Sequence, residues 1–189
     1  MLSDLIAEIE EVGLCYIENT LPGLSGRCAL VIGTGMVGQG LVSGLLKRGC
    51  RCIWVYYRDK PVLSAANARH IEVVQLDAIR EVLPRADVVF AAVDAQTPVL
   101  RVETHRPFLK PEGVVMVDLG MPRNVDPAFD ACGGGVRVAD LDLLKQWHRT
   151  VNGTLEQVLE VCATVMADHR DIYERIRRSV QGDGPSNGV

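Results

Sequence analysis

An apolar run, Cys28-Ala29-Leu30-Val31-Ile32, passes directly into Gly33-Thr34-Gly35-Met36-Val37-Gly38. The run has the character of a buried strand, and glycines at that spacing turn it sharply into a helix. Gly33 permits the tight turn, Gly35 lets backbone approach a diphosphate, and Gly38 lets the helix pack hard on the strand it has left. The unpaired N–H groups of the first helical turn, helped by the helix dipole, then face an anion. A plain structural turn is the alternative, since glycine-rich turns are common. The context favours a ligand, because Val37, Leu41, Leu45 and Leu46 follow at helical spacing. Gly33, Thr34, Gly35, Met36, Val37 and Gly38 are therefore expected to hold the diphosphate of a dinucleotide.

The same alternation runs along the chain. Residues 3–18 read as a leading helix capped by Ser3, with Leu5, Ile6, Ile9, Val12 and Ile17 on one face. Gly49 stops the helix that begins at Met36, and 52–57 is a strand. Residues 61–68 form a short helix or turn, and 71–76 a third strand. Asp77 can cap a helix ending near Pro84, and the wholly apolar 88–93 fits a parallel strand covered on both faces. A helix over 103–109 and strands over 114–118 and 136–139 complete the series. Such alternation makes an α/β, Rossmann-type doubly wound parallel sheet with right-handed crossovers. An N-terminal helix precedes it and a long C-terminal helix follows.

The expected organisation is a helix and linker over 1–25, a dinucleotide-binding domain over 26–140, a helical packing segment over 141–180 and a disordered tail over 181–189. Within the third part, Thr154-Leu155-Glu156-Gln157 is a capping-box candidate. Leu155, Val158, Cys162, Val165, His169, Ile172 and Ile176 then step by threes and fours. A stripe so apolar needs cover, either the domain body or a second copy, and a homodimer is favoured.

Composition narrows the classes. At 189 residues, 48% hydrophobic and 23% charged, the chain has room for one globular domain with helical additions. A net charge of −4 gives no footprint for nonspecific nucleic-acid binding. No apolar run nears the roughly 18 residues of a membrane helix, and Met1-Leu2-Ser3-Asp4 lacks the start of a signal peptide. A cytoplasmic setting is the expectation. The six cysteines show neither zinc-ligand nor disulfide-framework spacing, and no metal site is expected. Most read as small buried hydrophobes. Cys132, before Gly133-Gly134-Gly135, is the one with a slight case for chemistry.

In such folds the residue ending the second strand reads the adenosine ribose. An acid there accepts from the 2′-hydroxyl of NAD, and a base takes the 2′-phosphate of NADP. Arg58 falls 20 residues after Gly38, flanked by Tyr57 and Lys60, so NADP(H) is favoured. Asp59 keeps NAD open, because a slip of one residue would make it the acceptor. An exposed charged turn without a ligand is the blander reading.

The segment Val117-Asp118-Leu119-Gly120-Met121-Pro122-Arg123-Asn124-Val125-Asp126-Pro127, with Val138-Ala139-Asp140-Leu141-Asp142-Leu143-Leu144, resembles the NADPH-binding domain of glutamyl-tRNA reductase. The glycine turn, Arg58 and the leading helix fit that family, and the likeness spans about residues 5–175. It implies that Val93, Asp118, Gly120 and Pro122 line the cofactor near its nicotinamide half. It also implies that Arg123 meets an anion or a carbonyl. The alternative is that Asp118 caps backbone N–H groups and Arg123 pairs with Asp126.

The departures matter as much. That family carries a nucleophilic cysteine in an N-terminal catalytic domain, for which about 25 residues leave no room. Its Ser/Thr-rich fourth strand end is Ala91-Ala92-Val93-Asp94 here. Full glutamyl-tRNA reductase activity from this chain alone is not expected. The expectation is an NADPH-dependent oxidoreductase acting on a carbonyl, imine or enzyme-bound acyl group, as a small molecule or linked to a carrier or tRNA. A partner enzyme or dimer mate would complete the cleft. Asp94, His105 and Arg123 are the catalytic candidates, with His105 as a mere surface residue the plainer alternative. A non-catalytic NADP(H)-binding regulatory or interaction module, in a tetrapyrrole or aminoacyl-tRNA-dependent pathway, is the second reading. A precorrin-2 dehydrogenase and a shikimate-dehydrogenase-like half rank lower, the latter for want of a substrate domain.

Overall fold

Burial on both faces explains the strands. β1 (Cys28–Ile32), β4 (Val88–Ala91) and β5 (Val114–Asp118) are buried at every position, and each reads as an almost unbroken apolar run. β2 (Arg51–Tyr56), β3 (Ile71–Gln75) and β6 (Val136–Ala139) lie outside them. The computed structural model describes residues 2–63 and 67–152. Its six strands are all parallel, in the order β3-β2-β1-β4-β5-β6. This is the expected doubly wound sheet. The order reverses between β1 and β4, which opens a crevice at their carboxyl ends.

Side chains alternate between two cores. Ala29 and Val31 face a layer built by α1 (Leu2–Thr20), α2 (Met36–Lys47) and α5 (Leu141–Asn152), through Ile9, Leu14, Ile17, Leu41, Leu45 and Leu144. Leu30 and Ile32 face the other layer, which includes α3 (Ile79–Val82), Leu100, Val125 and Phe129. Among the described residues no helix is long and apolar enough to cross a membrane.

Several expectations need correction. α1 starts at Leu2, so Ser3 lies inside the helix rather than at its cap. β3 stops at Gln75 and a tight turn over Leu76–Ala78 follows, so Asp77 sits in that turn without capping it. The fourth strand ends at Ala91, although the Ala92 N–H still donates to Ile32 O at 2.8 Å. The helix expected over 103–109 is α4 (Val102–His105) followed by a 3-10 turn, Arg106–Phe108. Pro107 within that turn has no N–H to continue the α ladder. Residues 61–63 have no regular structure and 67–69 form a 3-10 turn. The apolar stripe from Thr154, Cys162 and the tail lie outside the described residues. α5 begins where expected, with Asp140 Oδ1 accepting from the Leu143 N–H at 2.9 Å.

α1 lies directly on α2. A Cβ at Gly40 would collide with the carboxylate of Glu10, so the Glu10 side chain rests directly on the bare backbone of α2. Glu10 is only 8% exposed. Burial pushes its carboxyl up from 4.5 to about 7. The folded chain then holds this proton more tightly than the unfolded one, so stability falls as pH rises from 4.5 towards 7. Glu10→Gln should remove that slope in urea titrations and stabilise the protein at pH 8 by on the order of 2 kcal/mol. An unchanged slope would show that Glu10 ionises freely at the seam.

Candidate dinucleotide site

The glycine turn is pinned from three sides. Gly33 has φ +120°, and its N–H donates to Val55 O at 2.9 Å. Its own carbonyl accepts from the Trp54 indole Nε1 at 2.7 Å. A Cβ at Gly38 would collide with that same carbonyl, so α2 must begin hard against β1. Gly35 occupies the N-cap in extended backbone, and no side chain caps the helix. Nothing lies within 4 Å of where a Gly35 Cβ would stand. Space above an uncapped helix start is what a diphosphate requires. Thr34 Oγ1 donates to Asp59 O at 3.3 Å, tying this turn to the end of β2.

A cleft of 540 Å³ lies between the β2 exit and the β4–α4 connection. Tyr57, Arg58, Asp94, Arg101, Thr104 and His105 are among its walls. The Arg58 guanidinium stands 5.5 Å from the Tyr57 ring centroid, a cation–π contact. The Arg101 N–H donates to His105 Nδ1 at 2.9 Å, which places the proton of a neutral ring on Nε2. Burial lowers the His105 pKa, in the same direction. His105 is therefore half-buried in a wall rather than free on a helix surface. A smaller hollow of 260 Å³, beyond Tyr57, is lined by Gln75, Leu76 and Asp77.

The loop after β5 is held by a buried acid. Asp118 is 0% exposed, and its carboxylate accepts from the N–H groups of Gly120 at 3.0 Å, Asn124 at 2.9 Å and Val125 at 2.9 Å. Burial pushes the acid's pKa up, while those N–H groups and Arg123 pull it back. Asn124 is equally buried, and its Oδ1 accepts from the Val93 N–H at 2.8 Å, linking this loop to the end of β4. Arg123 reaches Asp130 and Asp140 at 3.4 Å and Asp118 at 3.7 Å.

The sequence model of the family described as shikimate / quinate 5-dehydrogenase matches residues 16–147. The chain belongs to this family. It is a dehydrogenase-type domain for nicotinamide dinucleotides. The resemblance to glutamyl-tRNA reductase stands beside it. The chain is 29% identical to the glutamyl-tRNA reductase of Caldivirga maquilingensis over 164 residues, 85% of this chain and 38% of that protein. It is 34% identical to that of Moorella thermoacetica over 128 residues, 65% of this chain and 29% of the relative. The chain thus spans less than half the length of these curated relatives.

Among solved structures, glutamyl-tRNA reductase from Methanopyrus kandleri superposes with TM-score 0.59 at 23% identity, over 88% of this chain and 45% of that one. A dipicolinate synthase from Bacillus halodurans gives 0.59 at 18%, over 73% and 46%. Both show the shared fold.

In this shikimate / quinate 5-dehydrogenase family member, the expected site residues fall into two groups. Tyr57, Arg58, Asp94 and His105 line the cleft, and Thr34 ties the glycine turn to Asp59. Arg123 is turned away into its acids, so the three catalytic candidates do not converge. The Asp118 carboxylate is enclosed and caps backbone N–H groups, the alternative reading of this residue, and Gly120 is packed against Asn124. Pro122 remains exposed, next to Met121. The pairing of Arg123 with Asp126 is replaced by Asp130 and Asp140, because Asp126 accepts from the Ala128 N–H at 2.9 Å. Trp54, Arg101 and Asn124 are site residues that sequence reasoning missed.

Asp118→Asn would turn one acceptor into a donor facing backbone N–H groups. A loss of about 2–4 kcal/mol in chemical denaturation is expected. Trp54→Phe should cost about 1–2 kcal/mol by leaving the Gly33 carbonyl without its indole partner. Losses below a few tenths in either variant would show that water replaces these bonds.

Proposed function

We propose that the chain is an NADP(H)-dependent oxidoreductase domain. The observation that carries the reading is the uncapped start of α2, tied through Thr34 to the end of β2, where Arg58 enters the wall of a cleft. The N–H groups of Met36, Val37 and Gly38 would hold the diphosphate. Arg58, with Tyr57 and Lys60, would take the adenosine 2′-phosphate. The nicotinamide half would then lie past Val93, towards the exposed Met121 and Pro122. A bound nicotinamide supplies the hydride donor or acceptor, and this chain's residues bind, orient and shield it. Asp94, one residue beyond the Val93–Asn124 link, is the remaining candidate for moving a proton, and Arg58 and His105 line the same cleft.

A carbonyl, imine or enzyme-bound acyl group is the proposed substrate class. The name glutamyl-tRNA reductase, carried by relatives of this chain, supports a tRNA-linked substrate, and presentation by a partner enzyme is part of the proposal. A homodimer through the segment after 152 would help cover the crevice and exclude water. A cytoplasmic setting suits the five free thiols among the described residues.

One observation favours the second reading, a binding module without turnover. Arg123, the cation on the nicotinamide side, is neutralised by three aspartates.

Calorimetric titration with NADPH and NADH tests the shared premise. NADPH should bind more tightly than NADH, and Arg58→Gln should narrow that preference by about tenfold. Gly35→Asp should weaken both nucleotides by at least about tenfold, since a carboxylate then occupies the helix start that it also caps. Wild-type protein that binds neither nucleotide would overturn the reading. NADPH oxidation with aldehydes, imines and thioesters, with and without proteins encoded nearby, then separates the two versions. Turnover that falls at least tenfold in Asp94→Asn supports the enzyme, and tight binding without any turnover supports the module.

A further inference from the structure

We propose that Arg101 is a second phosphate-reading residue, working with Arg58 from the other wall of the cleft to select a nucleotide that bears a 2′-phosphate. The inference rests on the nucleotide reading above and adds a specificity determinant to it. A phosphomonoester near neutral pH carries close to two negative charges on three acceptor oxygens. One guanidinium fork engages two oxygens and balances one charge. Lys60 can add a second charge from the same turn as Arg58, and a second guanidinium fork from the opposite wall would grip the phosphate from another direction.

Arg101 supplies that fork. It lines the same cleft as Arg58, at the start of α4, whereas Arg58 comes from the end of β2. Its backbone is anchored on both sides. The Arg101 N–H donates to His105 Nδ1 at 2.9 Å, and its carbonyl accepts from the His105 N–H at 2.9 Å. Its Nε donates to Pro98 O at 3.3 Å, which orients the fork. Neither arginine forms an ion pair among the described residues. The cleft walls hold two arginines and one carboxylate, Asp94. Asp59, the acid that would accept from a free ribose 2′-hydroxyl, follows Arg58 but does not line the cleft, whereas both arginines do.

The test compares wild type, Arg101→Gln, Arg101→Lys and Arg58→Gln by calorimetry with NADPH, NADH, adenosine 2′,5′-bisphosphate and 5′-AMP. Arg101→Gln should weaken NADPH and the bisphosphate by about tenfold or more, and NADH and 5′-AMP by less than about twofold. Arg101→Lys should recover part of the loss, because the charge is kept while the fork is gone. Equal weakening of all four ligands by Arg101→Gln would make Arg101 a structural residue and overturn the inference. So would no change in any of them. If wild type prefers NADPH and only Arg58→Gln removes the preference, the nucleotide reading stands and Arg101 is excluded. Wild type without affinity for NADPH removes both.

Discussion

The carbonyl oxygen of Gly33 accepts the Trp54 indole N–H at 2.7 Å and leaves no room for a side chain at Gly38. Through this atom β1, α2 and β2 become one rigid piece. Trp54 pairs with Val31 in the β1–β2 register, so the ladder itself delivers the indole to the turn. A slip of one residue would send that side chain to the opposite face of the sheet. The aim of the α2 start, and with it any anion held there, follows from strand pairing rather than from the loop. α1 then rests on α2 where Gly40 admits Glu10, so the leading helix is packed against the element that carries the phosphate turn.

The other side of the crevice has its own organising atoms. Asp118 gathers three backbone N–H groups of a loop with no regular structure of its own, and these bonds offset the cost of enclosing a carboxylate. Asn124, locked by that acid, takes the Val93 N–H and fixes the end of β4. Arg123 bridges the loop to Asp140, which also caps the start of α5. The β5 loop and the C-terminal helix therefore share one charged contact. A movement of α5 would reach the loop through it.

What the sequence revealed follows from how local each signal is. Buried parallel strands are nearly continuous apolar runs, so β1, β4 and β5 were readable, and the glycine turn announced itself between strand and helix. Arg58 was found because its distance from the turn is set by one helix and one strand. Trp54, Asn124 and Arg101 were not found, because each acts through the fold. Trp54 meets Gly33 across 21 residues and Asn124 meets Val93 across 31. Asp118 and Arg123 were recognised as important, with the capping role of Asp118 among the alternatives and the partner of Arg123 misassigned to Asp126. Sequence spacing put them on the right edge of the sheet, and only packing shows that one is enclosed and the other neutralised. The helix cut short by Pro107 and the misplaced cap at Asp77 are local errors of boundary that leave the topology intact.

The two halves of the crevice differ in their electrostatics, and the difference bears on how such a domain would work. On the adenosine side Arg58 and Arg101 form no ion pair among the described residues, so an arriving anion meets charge that is not already balanced. On the other side Arg123 is spent on three aspartates, and what remains at the surface is apolar: Met36 is 52% exposed and Met121 55%. Exposed methionines on either side of a crevice are adaptable packing surface, for a flat ring or for another protein. On the proposed reading, affinity and nucleotide choice reside in this chain, while water exclusion over the nicotinamide needs a second surface laid across those methionines. On that reading the domain holds its nucleotide at one end and leaves its reactive end to be completed.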